Sequence, residues 1–581
     1  MRCILLLALI VVLLAGCSLP IGRDRATSGR TAATPAVDSQ AGPSNGPLSE
    51  GTAGVRPFPR ATSSPAPVVG GHVTELIPLY PHTLNPLFNE NEAQERVTSL
   101  LFEGLMRIDP ETRTPVPSLA EDVQVSADGL RYTFVLSPRI TWHDGTPMTA
   151  RDVAWTYGLL RDSQVEAPLR QYAERIKNVV ADEPSTVTFT LAEPYSPFLA
   201  RLATAPIIPR KPFAGHSGQR LRARLLNWKQ PVGTGPFRFV ATRPGQSIEL
   251  AAYARYHGGE PMLDRYNFRV LRDPAAVQQA LSGGEADLAW LTPALVPELG
   301  EQDFLSQTVI DTPTSTLLFF NLDPERGGAL LDRRVRRALA HALDLESIAT
   351  GMNQAVRPAT GYQPPTSPAY RQTHTPLYAY DPARAKVLLS NAGWKDADGD
   401  GVRQKGGQTL TLTLAVNSVP KEFPMTLGLS YDPAVASIIA GWKAVGVRVK
   451  VVREGWEAFA SRVFGAHDFE VALLSMTADA DPDTSYTWAT EAYTQGFNAG
   501  RYASERTDAL LRRGVALHSI EERAQVYGEV GRQLGADVPA VPLGATRLVV
   551  VSSDRLAGPR SDYWSALQHT DAHRWFVRDG R

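Results

Sequence analysis

The sequence predicts an α/β protein of several domains, with a more β-rich insertion near residues 90–225. Three observations lead there. The chain has 581 residues, and one compact core rarely organises more than 100–200, so about three domains are expected. From residue 409 the pattern runs strand ("TLTLAV"), helix ("DPAVASIIAGWKAVG", 432–446), strand ("VRVKVV", 447–452), and that order predicts a parallel βαβ unit. "LRYTFVL" (130–136) and "STVTFTL" (185–191) alternate apolar and polar residues, as half-buried strands do.

The N-terminus reads as an address. Arg2 is followed by an apolar run from Ile4 to Ala15, too short for a typical membrane span and suited to a signal-peptide core. The run ends in Leu14-Ala15-Gly16-Cys17, which resembles the bacterial lipoprotein box. That resemblance implies a signal peptide over 1–17, lipid on Cys17, and a protein anchored to the membrane without a transmembrane helix. Residues 18–69 are rich in Pro, Ser, Thr, Ala and Gly. Such a stretch buries too little apolar surface to offset its ordering entropy, so a disordered tether is expected. A domain tethered outside the cytoplasmic membrane has no ATP supply, which favours capture or extracellular hydrolysis over phosphoryl transfer.

Composition narrows the chemistry. Both cysteines, Cys3 and Cys17, precede the folded region, so that region cannot form a disulfide, a thiolate metal site or a cysteine nucleophile. Lys plus Arg is 59 and Asp plus Glu is 60. This balance gives no electrostatic reason to expect nucleic acid as a partner.

Helices are predicted at 149–161, 332–349, 381–394 and 432–446. In the first, Val153, Tyr157 and Leu160 share one face, and Thr149 and Asp152 occupy N-cap and N3 positions of a capping box. The third and fourth open on Asp-Pro, with the Asp as N-cap and the Pro as first helical residue, and stop at Gly393 and Gly446.

Several stretches suggest chemistry. In "WHDGTPMTARDVAWTY" (142–157) an Asp follows a His, but Asp-Gly and Thr-Pro are turn chemistry and the rest is a capped helix, so the stretch is assigned to structure. "DADGDG" (396–401) places Asp396, Asp398 and Asp400 at calcium-loop positions. The residue at position 12 is Gly407 where the bidentate Glu belongs, so an acidic turn is the reading preferred over weak calcium binding. "GHSGQ" (215–219) lacks the last glycine of a nucleophile elbow, and "GTGPFR" (233–238) lacks the third glycine of a dinucleotide loop. His569 and His573, four apart, are read as a surface pair that could share a helix face.

In order along the chain, "TLNPLFNENEAQERVTSLLFEGLMRID", "PVPSLAEDVQVSADGLRYTFVLSPRITWHDGTPMTARDVAWTY", "VGTGPFRF" (232–239), "GGEADLAWL" (283–291), "FFNLDPERGGALLDRRVRRALAHALD" (319–344), "YDPARAKVLLSNAGW" (380–394) and "HDFEVALLSMTADADPDTSYTW" (467–488) resemble the extracytoplasmic solute-binding proteins of ABC importers, family 5, the peptide/nickel group. The resemblance spans about 72–550. It implies a periplasmic-binding-protein-like two-lobe clamp of the class II type with an additional β-rich domain. Lobe I would comprise 70–90, 226–312 and 540–581, the additional domain 91–225, and lobe II 313–539. Strands near Thr314–Asn321 and Val538–Thr546 would cross between the lobes as the hinge. The WHDGTP stretch would lie away from the ligand.

The resemblance also implies a non-enzymatic, monomeric receptor without cofactor. It would deliver oligopeptides or dipeptides to an ABC permease by closing around them, with a metal chelate or an oligosaccharide as an alternative ligand and a secreted hydrolase as a more distant reading. In peptide-binding relatives an Asp of the last block meets the peptide amino group, so Asp479 or Asp481 is expected there. Ala480 stands where an aromatic is usual, which leaves that contact open. Tyr486 and Trp488 either line the pocket or belong to the core, and Asn85, Thr292 and Tyr362 lie in loops that border the cleft in relatives.

Overall fold

The computed structural model describes residues 69–89, 91–216, 218–300, 302–370, 377–418, 430–560 and 562–578. The expected signal peptide, Cys17 and almost all of the expected tether lie outside these residues. No described helix is long and apolar enough to cross a membrane.

An eleven-stranded sheet runs through the molecule. In spatial order its strands are Arg448–Glu454, Thr411–Asn417, Val471–Thr477, Leu305–Phe320, Ala540–Ser553, Leu288–Leu291, His72–Ile77, Arg265–Val270, Ser247–Ala252 and Phe237–Arg243, with Val356–Pro358 paired to the side of Ala540–Ser553. The expected βαβ unit is present: Thr411–Asn417 and Arg448–Glu454 pair in parallel, joined through helix Asp432–Ala444. Asp432 is not the N-cap of that helix but its first residue, after Tyr431, and it pairs with Arg453 at 2.8 Å.

The two longest strands, Leu305–Phe320 and Ala540–Ser553, lie antiparallel from Leu305 opposite Ser553 to Phe319 opposite Ala540. Their register slips between Asp311 and Ser315 and again between Thr316 and Leu317. Before the first slip the pair borders Leu288–Leu291 through Ala540–Ser553. After it the pair borders Val471–Thr477 through Leu305–Phe320. Alternation along the strand then serves two cores. Leu318 and Phe320 pack with Val335, Leu389 and Trp442 on one face, while Leu317 and Phe319 pack with Phe459, Trp488 and Tyr527 on the other. Ala540–Ser553 is entered through Val538, a buried β-branched residue at φ 54°, a backbone region that such residues rarely occupy. The Arg336 guanidinium fastens it, donating to the carbonyls of Asp537, Val538 (2.9 Å) and Leu330 (2.6 Å).

The β-rich part is a separate antiparallel sheet in the order Ala120–Val125, Arg131–Leu136, Thr186–Leu191, Ile176–Glu183. Helix Ala150–Arg161 covers it with Val153, Tyr157 and Leu160, all fully buried, and Tyr157 meets Phe189 edge-on at 4.7 Å. The Thr149–Asp152 capping box is formed.

The helix expected over 332–349 is instead two, Arg333–His341 and Leu345–Gly351. Asp344 accepts from the Ser347 amide at 3.1 Å and caps the second, so the cap interrupts what the apolar spacing had read as continuous. The helix expected over 381–394 spans Pro382–Asn391 with Asp381 as its cap.

The WHDGTP and GTGP stretches meet. Asp144 accepts from the amide and hydroxyl of Thr146 within its own turn. His143 reaches the other motif: its Nδ1 accepts from the Gly233 amide at 3.1 Å, and its Nε2 faces the Gly235 carbonyl at 3.0 Å. The Gly233–Pro236 turn crosses the end of helix Glu92–Leu101, where the Gly235 amide donates to the Leu101 carbonyl at 3.0 Å. A methyl group at Gly233 would be driven into that carbonyl, so glycine is required here by close approach of two backbones.

Two outcomes follow from this junction. Gly233→Ala lowers unfolding stability by about 1–3 kcal/mol in urea melts, whereas Gly531→Ala, in open space within helix Ile520–Asp537, is neutral or stabilising. Burial pushes the His143 pKa down from 6.5 to about 4, and protonation would cost its acceptance from Gly233. With the folded value below the unfolded one, its contribution is complete above pH 6.5 and is lost as pH falls toward 4. Between pH 7 and 4 the wild type therefore loses about 2–3 kcal/mol more stability than His143→Gln.

Candidate functional site

A shallow cleft opens beside the register slip. Ser315 and Ala545, which face each other across the two crossing strands, line it together with Arg357, Gln363, Tyr370 and the Pro358–Gly361 segment. Arg357 sits on the short strand Val356–Pro358, whose register with Gly544–Thr546 brings it to the slip. Its guanidinium donates to Asp311 at 2.5 Å, and Arg547 reaches the same carboxylate at 3.3 Å. Gly544 permits this third strand, because a methyl there would strike the Arg357 carbonyl. The cleft therefore offers hydroxyls, one carboxamide and one guanidinium, which are groups that hold a ligand.

The aspartate block borders this cleft. Ala478 donates to the Pro313 carbonyl at 3.1 Å, and Gln363 donates to the Pro482 carbonyl at 3.0 Å. Its three carboxylates are engaged by two arginines. Arg523 forms a two-pronged pair with Asp481 at 2.6 and 2.8 Å, both side chains about 95% buried or more. Arg201, from the residues of the β-rich part, binds both Asp479 and Asp483, the latter at 2.8 Å. It also donates to the Asp483 carbonyl at 2.9 Å and the Tyr195 hydroxyl at 2.8 Å, and lies 4.8 Å over the Tyr172 ring. Burial opposes the Arg201 charge, but the Asp479 and Asp483 carboxylates outweigh it and hold the group charged. The Asp479 side chain keeps 35% exposure. Ala480 packs with Ile108 and Ala200 under Trp564.

The structure places the other expected residues as follows. Asn85 is fully buried, accepting from the Leu87 amide at 3.1 Å and donating to the Leu225 carbonyl at 3.1 Å. Thr292 is buried at the start of the turn Pro293–Leu295. Tyr362 lies between two cleft residues but turns inward, its hydroxyl donating to the Ala540 carbonyl at 2.7 Å. Trp488, 3% exposed, stacks on Phe319 at 5.4 Å and meets Tyr362 edge-on. Tyr486 packs edge-on against Phe497 at 4.9 Å and lies 6.3 Å from Tyr172. Asp479 and Asp481 thus lie in the loop that leads into the short helix Ser485–Trp488, which carries Tyr486 and Trp488, whereas Asn85 and Thr292 are engaged elsewhere. Arg201, Arg357, Gln363 and Arg523 were missed. For Arg201 a signal existed: a lone charge in the apolar run "PFLARLA" (197–203) marks a buried partner.

The histidine pair is not a surface pair on one helix face. Helix Tyr563–Leu567 ends first, and His569 turns inward at φ 47°. His569 is buried, with Nε2 2.8 Å from Glu75 and Nδ1 2.9 Å from the Ser99 hydroxyl. Glu75 also binds Arg96 and accepts from Tyr266 at 2.5 Å. Burial, with Arg96 nearby, holds the His569 pKa well below its ordinary value. The Asp396, Asp398 and Asp400 carboxylates lie within 4.8 Å of one another and are exposed; they accept from amides of their own turn.

Residues 114–498 match the model of the bacterial extracellular solute-binding proteins, family 5 middle region. The chain is 25% identical over 464 residues to the oligopeptide-binding protein AppA of Bacillus subtilis, covering 79% of this chain and 83% of that one. The solved structure of that AppA in complex with a nonapeptide superposes with a TM-score of 0.70 at 24% identity, covering 88% and 99%. NikZ from Campylobacter jejuni in complex with Ni(L-His) superposes with a TM-score of 0.71 at 24% identity, covering 87% and 99%. The fold is therefore the two-lobe clamp of these binding proteins.

Removing one partner of the Arg523–Asp481 pair strands a buried charge. Arg523→Met lowers unfolding stability by about 3–5 kcal/mol in urea melts, and the double replacement Arg523→Met/Asp481→Leu recovers most of the loss.

Proposed function

This chain belongs to the family 5 bacterial extracellular solute-binding proteins, and on that premise we propose that it captures oligopeptides or dipeptides by lobe closure and hands them to a membrane permease. Proteins of this family are binding proteins of ABC importers rather than enzymes, and they work outside the cytoplasm. The observation that carries the mechanism is the coincidence of slip and cleft: Ser315 and Ala545 are cross-strand partners at the slip and also cleft walls. A rotation at residues 311–315 changes the cleft directly. Lobe I is 70–90, 226–312 and 540–581, lobe II is 313–539, and 91–225 is the additional domain. A ligand that touches both lobes stabilises the shut state relative to the open one. Lipid on Cys17 holds the protein at the membrane, with 18–69 as the tether.

A non-peptide solute is the second reading, favoured by the engagement of Asp479 with Arg201, which leaves a peptide ammonium without a free carboxylate at that place. A nickel–histidine chelate, as in the NikZ complex, is one such ligand.

Small-angle scattering and thermal shift with a peptide series from two to nine residues test the first reading. Binding peptides shrink the radius of gyration and raise Tm in proportion to the logarithm of their concentration above Kd. Unchanged scattering and Tm across the whole series, with compaction by a chelate or an oligosaccharide, transfers the proposal to the second.

A further inference from the structure

Within the peptide reading, we infer that Arg201 is a specificity-determining residue: by occupying Asp479 from inside the protein, it makes the site indifferent to a ligand's terminal ammonium. The chemistry is local. Of the three aspartates in the block, Asp481 is enclosed by Arg523 and Asp483 is buried against Arg201. Asp479 alone of the three remains about a third exposed, and it follows the strand Val471–Thr477, whose Met476 pairs with the cleft residue Ser315. It is therefore the carboxylate of this block that an incoming cation would meet. Both its oxygens are already in use: Oδ1 accepts from the Asp481 amide at 2.8 Å, and Oδ2 accepts from Arg201 Nε.

Arg201 is not free to yield. Its side chain is 94% buried, and its guanidinium also holds the Asp483 carboxylate, the Asp483 carbonyl and the Tyr195 hydroxyl. Those contacts anchor it on the far side of the pair, so a ligand ammonium competing for Asp479 meets a guanidinium already positioned by neighbours the ligand does not touch. A buried, many-partnered guanidinium is a stronger competitor than a solvated ammonium, because no ordering remains for it to undergo. The small side chain at Ala480 belongs to the same arrangement. Ala200, next to Arg201, packs against Ala480 in the cluster with Ile108 and Trp564, and the compact residue lets the segment carrying Arg201 come this close.

The test uses the full-length protein and a matched pair of probes, trialanine and N-acetyl-trialanine, titrated calorimetrically. In the wild type the two bind within about threefold of one another. Arg201→Gln frees Asp479 and favours trialanine over its acetylated form by about tenfold or more, as a charged hydrogen bond allows. Adding Asp479→Asn to that variant returns the ratio to within about threefold, and Arg201→Lys, whose single ammonium cannot hold Asp479 together with Asp483 and Tyr195, moves the ratio part of the way toward trialanine. A general packing role for Arg201 would weaken both probes together and leave the ratio unmoved. A tenfold preference for trialanine in the wild type, or an unchanged ratio in Arg201→Gln, overturns this inference and leaves the peptide reading standing. Absence of heat from both probes with every protein, alongside unaltered scattering, overturns the peptide reading and this inference with it. Should Arg201→Gln fail to fold, the wild-type ratio and Arg201→Lys still decide the matter.

Discussion

The structure depends on the backbone pairing of Leu305–Phe320 with Ala540–Ser553. A buried strand must satisfy its amides and carbonyls, and a neighbouring strand does so most completely. Because these two strands pair along nearly their whole length, the sheet continues from one half of the molecule to the other without a buried edge. Between these two strands the pairing lapses at 311–315. There Asp311 is held by Arg357 and Arg547, so the lapse is bridged by side chains in place of backbone hydrogen bonds. The cleft lies beside these side chains.

Buried charge is the second organising feature. Arg201, Arg523, Arg96 and Arg336 are all largely buried; Arg201, Arg523 and Arg336 bind carboxylates or carbonyls from separate segments, and Arg96 pairs with Glu75 over the Trp290 ring. Such groups add little net stability compared with apolar replacements, but each demands its own set of partners. They therefore act as registration points. Arg201 fixes the β-rich part against the aspartate block, Arg523 fixes that block against helix Ile520–Asp537, and Arg336 fixes the strained entry to Ala540–Ser553. Family 5 proteins have to shut reproducibly on a solute, and pairings that tolerate no substitute geometry suit that task.

Several elements were legible because their causes lie within a few residues. The Thr149–Asp152 capping box, the Asp144 turn, the Asp381 cap and the alternation of 130–136 and 185–191 all rest on neighbours in the chain, and they stand where the sequence placed them. The division of 332–349 was also local. Asp344 with Ser347 is a capping signal, but the apolar spacing of Val335, Leu339 and Leu343 masked it. Ordered blocks spanning most of the chain made the family readable. The candidate site was much less so. Tyr362 flanks cleft residues and Trp488 meets its ring, yet both turn toward the interior, and a position in the chain does not tell which way a side chain points.

The sequence alone determined the family, the α/β alternation and the local punctuation, since these follow from periodicity, caps and turn residues acting over short spans. Tertiary structure decided which charges meet. Arg201 and Asp479 are 278 positions apart, and His569 lies 494 positions from Glu75. No spacing rule joins such residues; only the folded sheet brings them within hydrogen-bonding distance. Whether an aspartate is available to a ligand or engaged by an arginine of its own chain depends on desolvation and geometry at that contact, and both come into being only when the chain has folded.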